Sequence, residues 1–252
     1  MEQIELSIII PVYNSQDTIG MVVESLLHSY HALFSLEIIL INDGSRDDSY
    51  QTCENLRNEY ANVRVIHHET NSGQQRALMT GLRHCKGEIV VLMDDDMQNP
   101  PSEVIKLIHK INEGYDVVFG QRMVYNQSLI RKLLSHLNQF LVFMSTKRRI
   151  SFSNFLIMRR AIVAIIIQDR STKPVIQGLL LKSKANMTSI YTEHHQRMHG
   201  KSNYNAVKLV KHGLTAIPYY MSPAVKYSLF LLMIMIIAGL IAGVYFIINY
   251  FI

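Results

Sequence analysis

Short runs of apolar residues alternate with helix-type patterns over the first hundred residues of the chain. Each run is followed by turn residues or polar side chains, which is typical of strands buried on both faces of a sheet. Strands are predicted at residues 6–12, 36–41, 63–67 and 88–93, and helices at 18–30, 48–60 and 74–85. This alternation predicts an α/β fold with a mostly parallel sheet.

The pattern continues less regularly after residue 100. Its spacing predicts helices at 102–112, 128–146, 159–168 and 204–217, and extended segments at 115–120, 152–158 and 185–191. The helix at 128–146 is amphipathic and bears basic residues. Residues 193–203 form a polar, histidine-rich and basic loop.

The last part of the chain is almost wholly apolar. Lys226 is the last charged residue, and residues 227–252 are long enough to cross a bilayer as a helix. The alternative, a core helix, would be unusually long and apolar on all faces. Lysines precede the run and none follows it, so the positive-inside rule predicts a cytoplasmic N-terminal domain. We expect a catalytic domain at 1–203, a juxtamembrane helix and linker at 204–221, and a transmembrane helix at 222–252. No secretory signal is expected, because the chain leads directly into a strand.

Net charge and cysteine count narrow the possibilities. The chain has a net charge of +5 and a pI near 9.1, which suits nucleic acid, anionic lipid or a phosphorylated substrate. A generally basic surface explains the charge equally well. The basic residues cluster toward the predicted membrane segment without interleaved aromatics, so no nucleic-acid partner is expected. Cys53 and Cys85 lack metal-type spacing and are expected to be reduced thiols.

Polar residues stand where the predicted strands end. Tyr13 and Asn14 follow the first strand, Asp43 follows the second, and residues 94–96 follow the fourth. Ligands bind at the carboxyl ends of strands in such sheets, so these side chains are expected to line one cleft.

Three consecutive aspartates are the most distinctive of these residues. Their charges repel one another, and a divalent cation is the usual remedy. Asp94 and Asp96 are two apart and could converge on Mg²⁺ or Mn²⁺, whose remaining ligands would be phosphate oxygens and water. The alternative is a solvated acidic loop ahead of the helix near Ser102. No catalytic zinc is expected, because no helical partner at i+4 with a nearby acid accompanies His67, His68, His194, His195 or His199.

The segment VLMDDDMQNPPSE resembles the DxDxQxPP(x)E signature of family 2 glycosyltransferases that act on polyprenyl phosphates. Other stretches match in the same order along nearly the whole chain: SIIIPVYNS, INDGSRDDS, NSGQQRALMTGL, FGQRMVYNQSLIRKLLSHLNQF and RMHGKSNY. The resemblance is closest to bacterial undecaprenyl-phosphate transferases of the formamido-arabinose or glucose type, which share the NxGQ form.

The resemblance implies a Rossmann-like GT-A fold and an inverting transfer from a nucleotide-diphosphate sugar, with UDP preferred, to a polyprenyl phosphate. The reaction would take place on the cytoplasmic side of the inner membrane, among membrane lipids, with a homo-oligomer possible. The implied metal ligands are Asp94, Asp96 and Gln98. The implied nucleotide neighbours are Pro11, Tyr13, Asp43 and Gly73; Pro11 and Gly73 also suit a purely structural role in turns.

The resemblance also implies where the acceptor phosphate binds. Arg122, Arg131 and Ser135 match the family's contacts to that phosphate, although an exposed basic helix face explains them too. Arg197 and Lys201 would close over the donor or meet the anionic membrane surface. An ionised phosphate needs cationic positioning more than it needs a general base.

The chain departs from the family pattern at several positions. Ser15 stands where Glu is usual, Asp95 replaces a small residue, and Asn203 replaces a common Lys. Most bacterial relatives also have a second membrane helix, whereas one is predicted here.

Three alternative functions share parts of this pattern. A processive polysaccharide synthase would need a Gln-x-x-Arg-Trp motif, and the chain contains no tryptophan. The remaining alternatives are a transferase with a non-lipid acceptor and a catalytically silent scaffold for lipid-linked glycan assembly.

Overall fold

The computed structural model describes residues 4–122, 150–172 and 174–195, together with the single residue Met235. The chain divides into two units, Met1–Asn203 and Tyr204–Ile252, and the strands and helices given below belong to the first. The helices predicted at 128–146 and 204–217 lie outside the described residues, as does the predicted membrane span apart from Met235. Among the described residues, no helix has the length and apolar character needed to cross a membrane.

A seven-stranded sheet forms the centre of the first unit. Its strands are β1 (Leu6–Val12), β2 (Leu36–Asp43), β3 (Val63–His68), β4 (Ile89–Leu92), β5 (Val117–Arg122), β6 (Leu156–Arg159) and β7 (Met187–Thr192). They are arranged in the order β3-β2-β1-β4-β6-β5-β7. Only β6 runs antiparallel to its neighbours. The predicted α/β fold with a mostly parallel sheet is therefore confirmed.

Helices cover this sheet, as continuous apolar strands require. They are α1 (Ile19–Tyr30), α2 (Ser49–Glu59), α3 (Gln74–His84), α4 (Val104–Ile111), α5 (Arg160–Ile166) and α6 (Ile176–Lys182). Every residue of β1 and β2 is buried, so both faces of these strands are covered. Helix α3 packs so closely that a methyl group added at Gly81 would lie 2.3 Å from Cγ2 of Ile9.

Three details differ from the expectations from sequence. The helix predicted at 102–112 begins as a 3₁₀ turn, Pro101–Glu103, before α4. Helix α6 was not predicted, because seven residues are too few to show a clear helical period. Strand β6 was expected only as an extended segment, and its insertion between β4 and β5 depends on long-range pairing.

The strand directions decide where the polar loops lie. Strands β1, β2 and β4 are parallel to one another. Strand β5 shares their direction, because β6 is antiparallel both to β4 and to β5. The carboxyl ends of these four strands therefore open on one edge of the sheet, where Tyr13, Asp43, the three aspartates and Arg122 follow or end them.

Candidate active site at the carboxyl edge of the sheet

The loop after β1 contacts both the loop after β2 and the loop after β4. The backbone N–H of Tyr13 donates to Oδ2 of Asp95 at 3.2 Å, and that of Asn14 donates to Oγ of Ser45 at 3.1 Å. Asn14 has a φ of 55°, in the left-handed region that side chains other than Gly rarely adopt. These contacts hold Tyr13 and Asn14 beside the segments that follow β4 and β2, at the edge where a ligand was expected to bind.

Asp94 and Asp96 are each oriented by a hydrogen bond. Oδ1 of Asp94 accepts from Nε2 of Gln74 at 2.6 Å. Asp96 is only 8% exposed, and its Oδ1 accepts from the backbone N–H of Gln98 at 3.1 Å. Met97, between Asp96 and Gln98, has a φ of 58°, in the left-handed region. Besides the predicted role of its side chain as a metal ligand, Gln98 thus orients Asp96 through its backbone N–H.

Gln74 belongs to a chain of amide side chains beneath the aspartates. Its Oε1 accepts from Nδ2 of Asn154 at 3.3 Å, and Oδ1 of Asn154 accepts from Nε2 of Gln177 at 3.0 Å. Sequence reasoning did not assign a role to these three residues. Only Gln74, in the NxGQ stretch, had a signal that could have identified it.

Two oriented carboxylates are a suitable starting set for Mg²⁺ or Mn²⁺. Within residues 4–122, 150–172 and 174–195, no group of three or more His, Cys, Asp or Glu side chains is placed to hold a metal. Asp94 and Asp96 would therefore be the main protein ligands. Phosphate oxygens and water would complete the coordination shell, as is common for Mg²⁺ in nucleotide sites. The residues present fit the expected cation, whose binding stays a prediction.

Asp95 turns toward the loop after β1. Its Oδ2 accepts from Oγ of Ser15 at 2.5 Å as well as from Tyr13, and Oγ1 of Thr18 donates to its carbonyl oxygen at 2.7 Å. Burial raises the pKa of Asp95 to about 6, against the lowering effect of the bonds from Ser15 and Tyr13. The neighbouring charge of Asp96 raises it further.

Asp43 is fully engaged with the loop that precedes α3. Oδ1 accepts from the backbone N–H and the hydroxyl of Ser72 and lies 2.9 Å from Nδ1 of His68. Oδ2 accepts from the backbone N–H of Gly73 at 2.8 Å. Burial alone would raise the pKa of Asp43, but the bonds from Ser72, His68 and Gly73 outweigh it, and the pKa is lowered. Asp43 therefore shapes the edge of the cleft, whatever contact it makes with a nucleotide.

Two glycines allow these loops to approach. Gly73 has a φ of 91°, so a side chain there would be strained although space is available. Gly44 has a φ of 66°, and a methyl group on it would lie 2.6 Å from the backbone nitrogen of Asn71. Pro11 is buried in β1 opposite Ile41, beyond the last residue of β1 that pairs with β4. Its missing N–H therefore interrupts no pairing with β4.

Arg122 ends β5 with an exposed side chain on the same edge. Its charge acts on His194: burial, and then Arg122, lower the pKa of His194, whereas Asp96 has the opposite effect. Nε2 of His194 is buried and meets no hydrogen-bond partner among the residues that the structure describes. His194 was considered only as a zinc ligand from the sequence, and its position near Asp96 and Arg122 was missed because it depends on β7 and the loop after it.

The segment after β7 is hydrogen-bonded to the aspartate turn (residues 94–98) and to the 3₁₀ turn that follows it. The backbone N–H of His195 donates to the carbonyl oxygen of Gln98 at 2.8 Å, and that of Glu193 donates to Oε2 of Glu103 at 3.0 Å. Four predicted site residues lie outside the described residues: Arg131, Ser135, Arg197 and Lys201. Their assignments stay predictions.

Comparison with known proteins identifies the family of this chain. Residues 7–173 match the glycosyl transferase family 2 domain. The chain belongs to glycosyltransferase family 2. It is 34% identical over 209 residues to the undecaprenyl-phosphate 4-deoxy-4-formamido-L-arabinose transferase of Pseudomonas fluorescens, and 33% identical over 214 residues to that of Edwardsiella ictaluri. These matches include 81% of this chain but only 61% and 64% of the relatives, so the chain spans less than two thirds of their length.

Solved structures of the same fold come from glucosyl-3-phosphoglycerate synthase of Mycobacterium tuberculosis. Its complex with Mn²⁺, UDP and glucosyl-3-phosphoglycerate has a TM-score of 0.63 at 18% identity, covering 86% of this chain and 78% of that one. Its complex with Mn²⁺ and UDP-glucose has a TM-score of 0.61 at 19% identity, covering 85% and 77%. The similarity establishes the GT-A-like fold of this family 2 chain.

Proposed function

We propose that this family 2 chain transfers a sugar from a nucleotide-diphosphate sugar, preferably a UDP-sugar, to a polyprenyl phosphate such as undecaprenyl phosphate. The reaction would use Mg²⁺ or Mn²⁺ and proceed with inversion at the cytoplasmic face of the inner membrane, for cell-envelope glycan or lipid modification. The observation that best supports this is the attachment of the three-aspartate turn to the loop after β1, made by the bond from Tyr13 to Asp95, in a chain whose curated relatives are named for transfer to undecaprenyl phosphate.

The donor half of the reaction follows from the oriented carboxylates. A divalent cation bound there would take up charge on the departing nucleoside diphosphate. Asp94 and Asp96 would hold that cation, and Gln74 and the Gln98 amide keep the two carboxylates in place. Tyr13, Pro11 and Gly73 border the space where the nucleoside would bind. In this proposal the chain assists departure of the nucleoside diphosphate.

The acceptor half requires positive charge more than a proton acceptor. A phosphate monoester is already ionised near neutral pH, so its oxygen can attack the anomeric carbon without a strong base. Arg122, at the end of β5, would pair with this phosphate, and Arg131 and Ser135 are proposed to join it. Arg197 and Lys201 are proposed to close over the donor or to bind the membrane surface.

A lipid-labelling experiment tests the proposal. Membranes that contain the full chain would be given undecaprenyl phosphate, Mg²⁺ or Mn²⁺, and a panel of radiolabelled UDP- and GDP-sugars. We expect one donor to label the lipid fraction, and the label to be lost when the cation is chelated. Label in a water-soluble product would favour a non-lipid acceptor, and no label with any donor in a well-folded sample would contradict the transfer itself.

Matched variants separate the roles of the two halves. Asp96→Asn should remove turnover without lowering expression, whereas Asp169→Asn, in a loop remote from the three aspartates in sequence, should behave as wild type. Arg131→Ala should raise the KM for the lipid far more than the KM for the donor. An equal loss of both would contradict its assignment to the acceptor, and a fully active Asp96→Asn would contradict the metal site.

A further inference from the structure

The three successive aspartates have three different neighbours. Asp94 is bonded to Gln74 of α3, and Asp96 to the backbone of its own turn at Gln98. Asp95 reaches in another direction, to Tyr13 and Ser15 in the loop after β1. The middle carboxylate is therefore the one that connects the aspartate turn to another loop of the cleft.

This connection is made through both the side chain and the backbone of Asp95. One carboxylate oxygen, Oδ2, accepts from the Tyr13 backbone and from the Ser15 hydroxyl at 3.2 and 2.5 Å. The Asp95 carbonyl oxygen accepts from the Thr18 hydroxyl at 2.7 Å. Hydrogen bonds to an ionised acceptor are shorter and stronger than neutral ones. Through these bonds Tyr13, Ser15 and Thr18 are all attached to the aspartate turn.

The same loop is also attached to the region after β2. The backbone N–H of Ser15 donates to Oγ of Ser49 at 2.7 Å, and Oδ1 of Asn14 accepts from the backbone N–H of Arg46 at 2.8 Å. Residues 13–15 thus lie between the segment after β2 and the aspartate turn. A shift of this loop would move Tyr13 relative to Asp94 and Asp96.

Ser15 and Asp95 are the two side chains that meet between these loops. A carboxylate is absent at position 15 and present at position 95, and the two positions are joined by a 2.5 Å hydrogen bond. In this chain one carboxylate lies between the two loops. Two carboxylates there would repel each other, and with no carboxylate the Tyr13 N–H would lose its acceptor.

We infer that Asp95 is a positioning residue that holds residues 13–15 in register with the Asp94/Asp96 pair, and that this role requires one carboxylate between the two loops, at position 95 or at position 15. The inference rests on the proposed function, because it assigns donor nucleotide binding to this cleft. Asp95 acts through Tyr13 and Ser15 and does not touch the reacting atoms. Its loss should therefore weaken donor binding and leave acceptor binding unchanged.

A four-variant cycle tests the inference with the full chain in detergent. Asp95→Ala should raise the donor KM, and the Kd for UDP in the presence of Mn²⁺, by about tenfold, the loss expected for a net 1.4 kcal/mol. Ser15→Glu alone should weaken UDP binding similarly through repulsion. The double variant Ser15→Glu/Asp95→Ala should return to within about threefold of wild type, because one carboxylate is restored.

The control removes an equal charge two residues from Ser15. Asp17 is exposed, and Asp17→Ala should leave both KM values unchanged. Should Asp95→Ala not fold, Asp95→Asn keeps the shape and one acceptor oxygen and should show a smaller rise in the UDP Kd. A mere loss of folded protein would lower kcat and leave both KM values as they were.

The outcomes separate this inference from the proposed function. If wild type binds UDP with Mn²⁺ and labels lipid, but the Asp95 variants bind UDP as wild type does, the positioning role is wrong and the transferase remains. If the double variant is weaker than either single variant, the exchange of carboxylates is wrong. If wild type neither binds UDP nor labels lipid, the proposed function itself fails.

Discussion

At the scale of single residues, the site depends on carboxylates whose partners come from distant parts of the chain. Asp94 is oriented by Gln74, Asp95 by the loop after β1, and Asp43 by the loop before α3. Each bond joins residues at least 20 positions apart. The residue types predicted a cation site and the family resemblance implied a nucleotide beside it. The hydrogen-bond partners explain why the carboxylates point in different directions.

Gln74 offers a test of how the first aspartate is oriented. Gln74→Leu removes the 2.6 Å bond to Asp94 with little change of volume. Loss of such a supporting partner typically costs about 10–100-fold in metal affinity, so the Mn²⁺ concentration for half-maximal transfer should rise by about that factor. A manganese titration of transferase activity measures it. Gln51→Leu, on the exposed face of α2, is the control, and an unchanged titration for Gln74→Leu would remove Gln74 from the site.

Asp43 predicts a pH-dependent part of the stability. Its pKa is lowered in the folded chain, so its contribution is fully present above the unfolded value of about 3.9 and is lost as pH falls through the lower folded value. Asp43→Asn should therefore be less stable than wild type by about 1.5–3 kcal/mol at neutral pH. Urea unfolding across pH should show this difference shrinking below pH of about 4. A difference that does not change with pH would mean that Asp43 is not stabilised as a carboxylate.

At the scale of elements, the tight packing of α3 against the sheet explains the position of Gln74, which orients Asp94. Gly81 lets α3 approach β1 and β2, with Ile9 and Ile41 against its missing side chain. Gln74 begins the same helix, so the approach of α3 also sets the position of the amide that holds Asp94. Helix α3 therefore both packs against the sheet, through Gly81, and orients Asp94, through Gln74.

Two glycine substitutions with opposite expected signs test this packing. Alanine at Gly81 would place a methyl group 2.3 Å from Ile9 and 2.9 Å from Ile41, an overpacking that costs about 1–3 kcal/mol. Alanine at Gly20, in α1, meets nothing within 4 Å and should stabilise by about 0.5–1 kcal/mol through helix propensity. Thermal unfolding measures both. Stabilisation by both substitutions would show that α3 can move away from the sheet.

At the scale of the whole molecule, the site and the proposed acceptor place different demands on the chain. A nucleotide sugar is water-soluble, whereas a polyprenyl phosphate lies in a bilayer, so the proposed transfer must occur at a membrane surface. In the proposed reaction the described part of the first unit would bind the donor, and the predicted span at 222–252 would supply the membrane attachment.

Membrane attachment is predicted from the sequence of that span. Ile237→Lys together with Leu240→Lys should release the chain from membranes, since a lysine at the centre of a spanning helix costs about 2.5–3.5 kcal/mol. Alkaline carbonate extraction followed by sedimentation measures this. Leu33→Lys, at an exposed leucine of the first unit, is the control. A double variant that still sediments would contradict residues 222–252 as the anchor.

The sequence by itself determined the local elements and the kind of chemistry. Apolar periodicity depends on neighbouring residues alone, so β1–β4 and α1–α3 could be predicted within a few positions, and the run of aspartates after a buried strand indicated a cation site. Family membership followed from motifs in fixed order.

The tertiary structure decided what depends on residues far apart in the chain. The antiparallel insertion of β6, the amide chain through Gln74 and Asn154, and the placement of His194 near Asp96 arise only when strands pair across the sheet. Asp95 shows the difference most clearly. Its charge was visible in the sequence, but its role depends on Ser15, 80 positions away, which the parallel pairing of β1 and β4 brings within 2.5 Å.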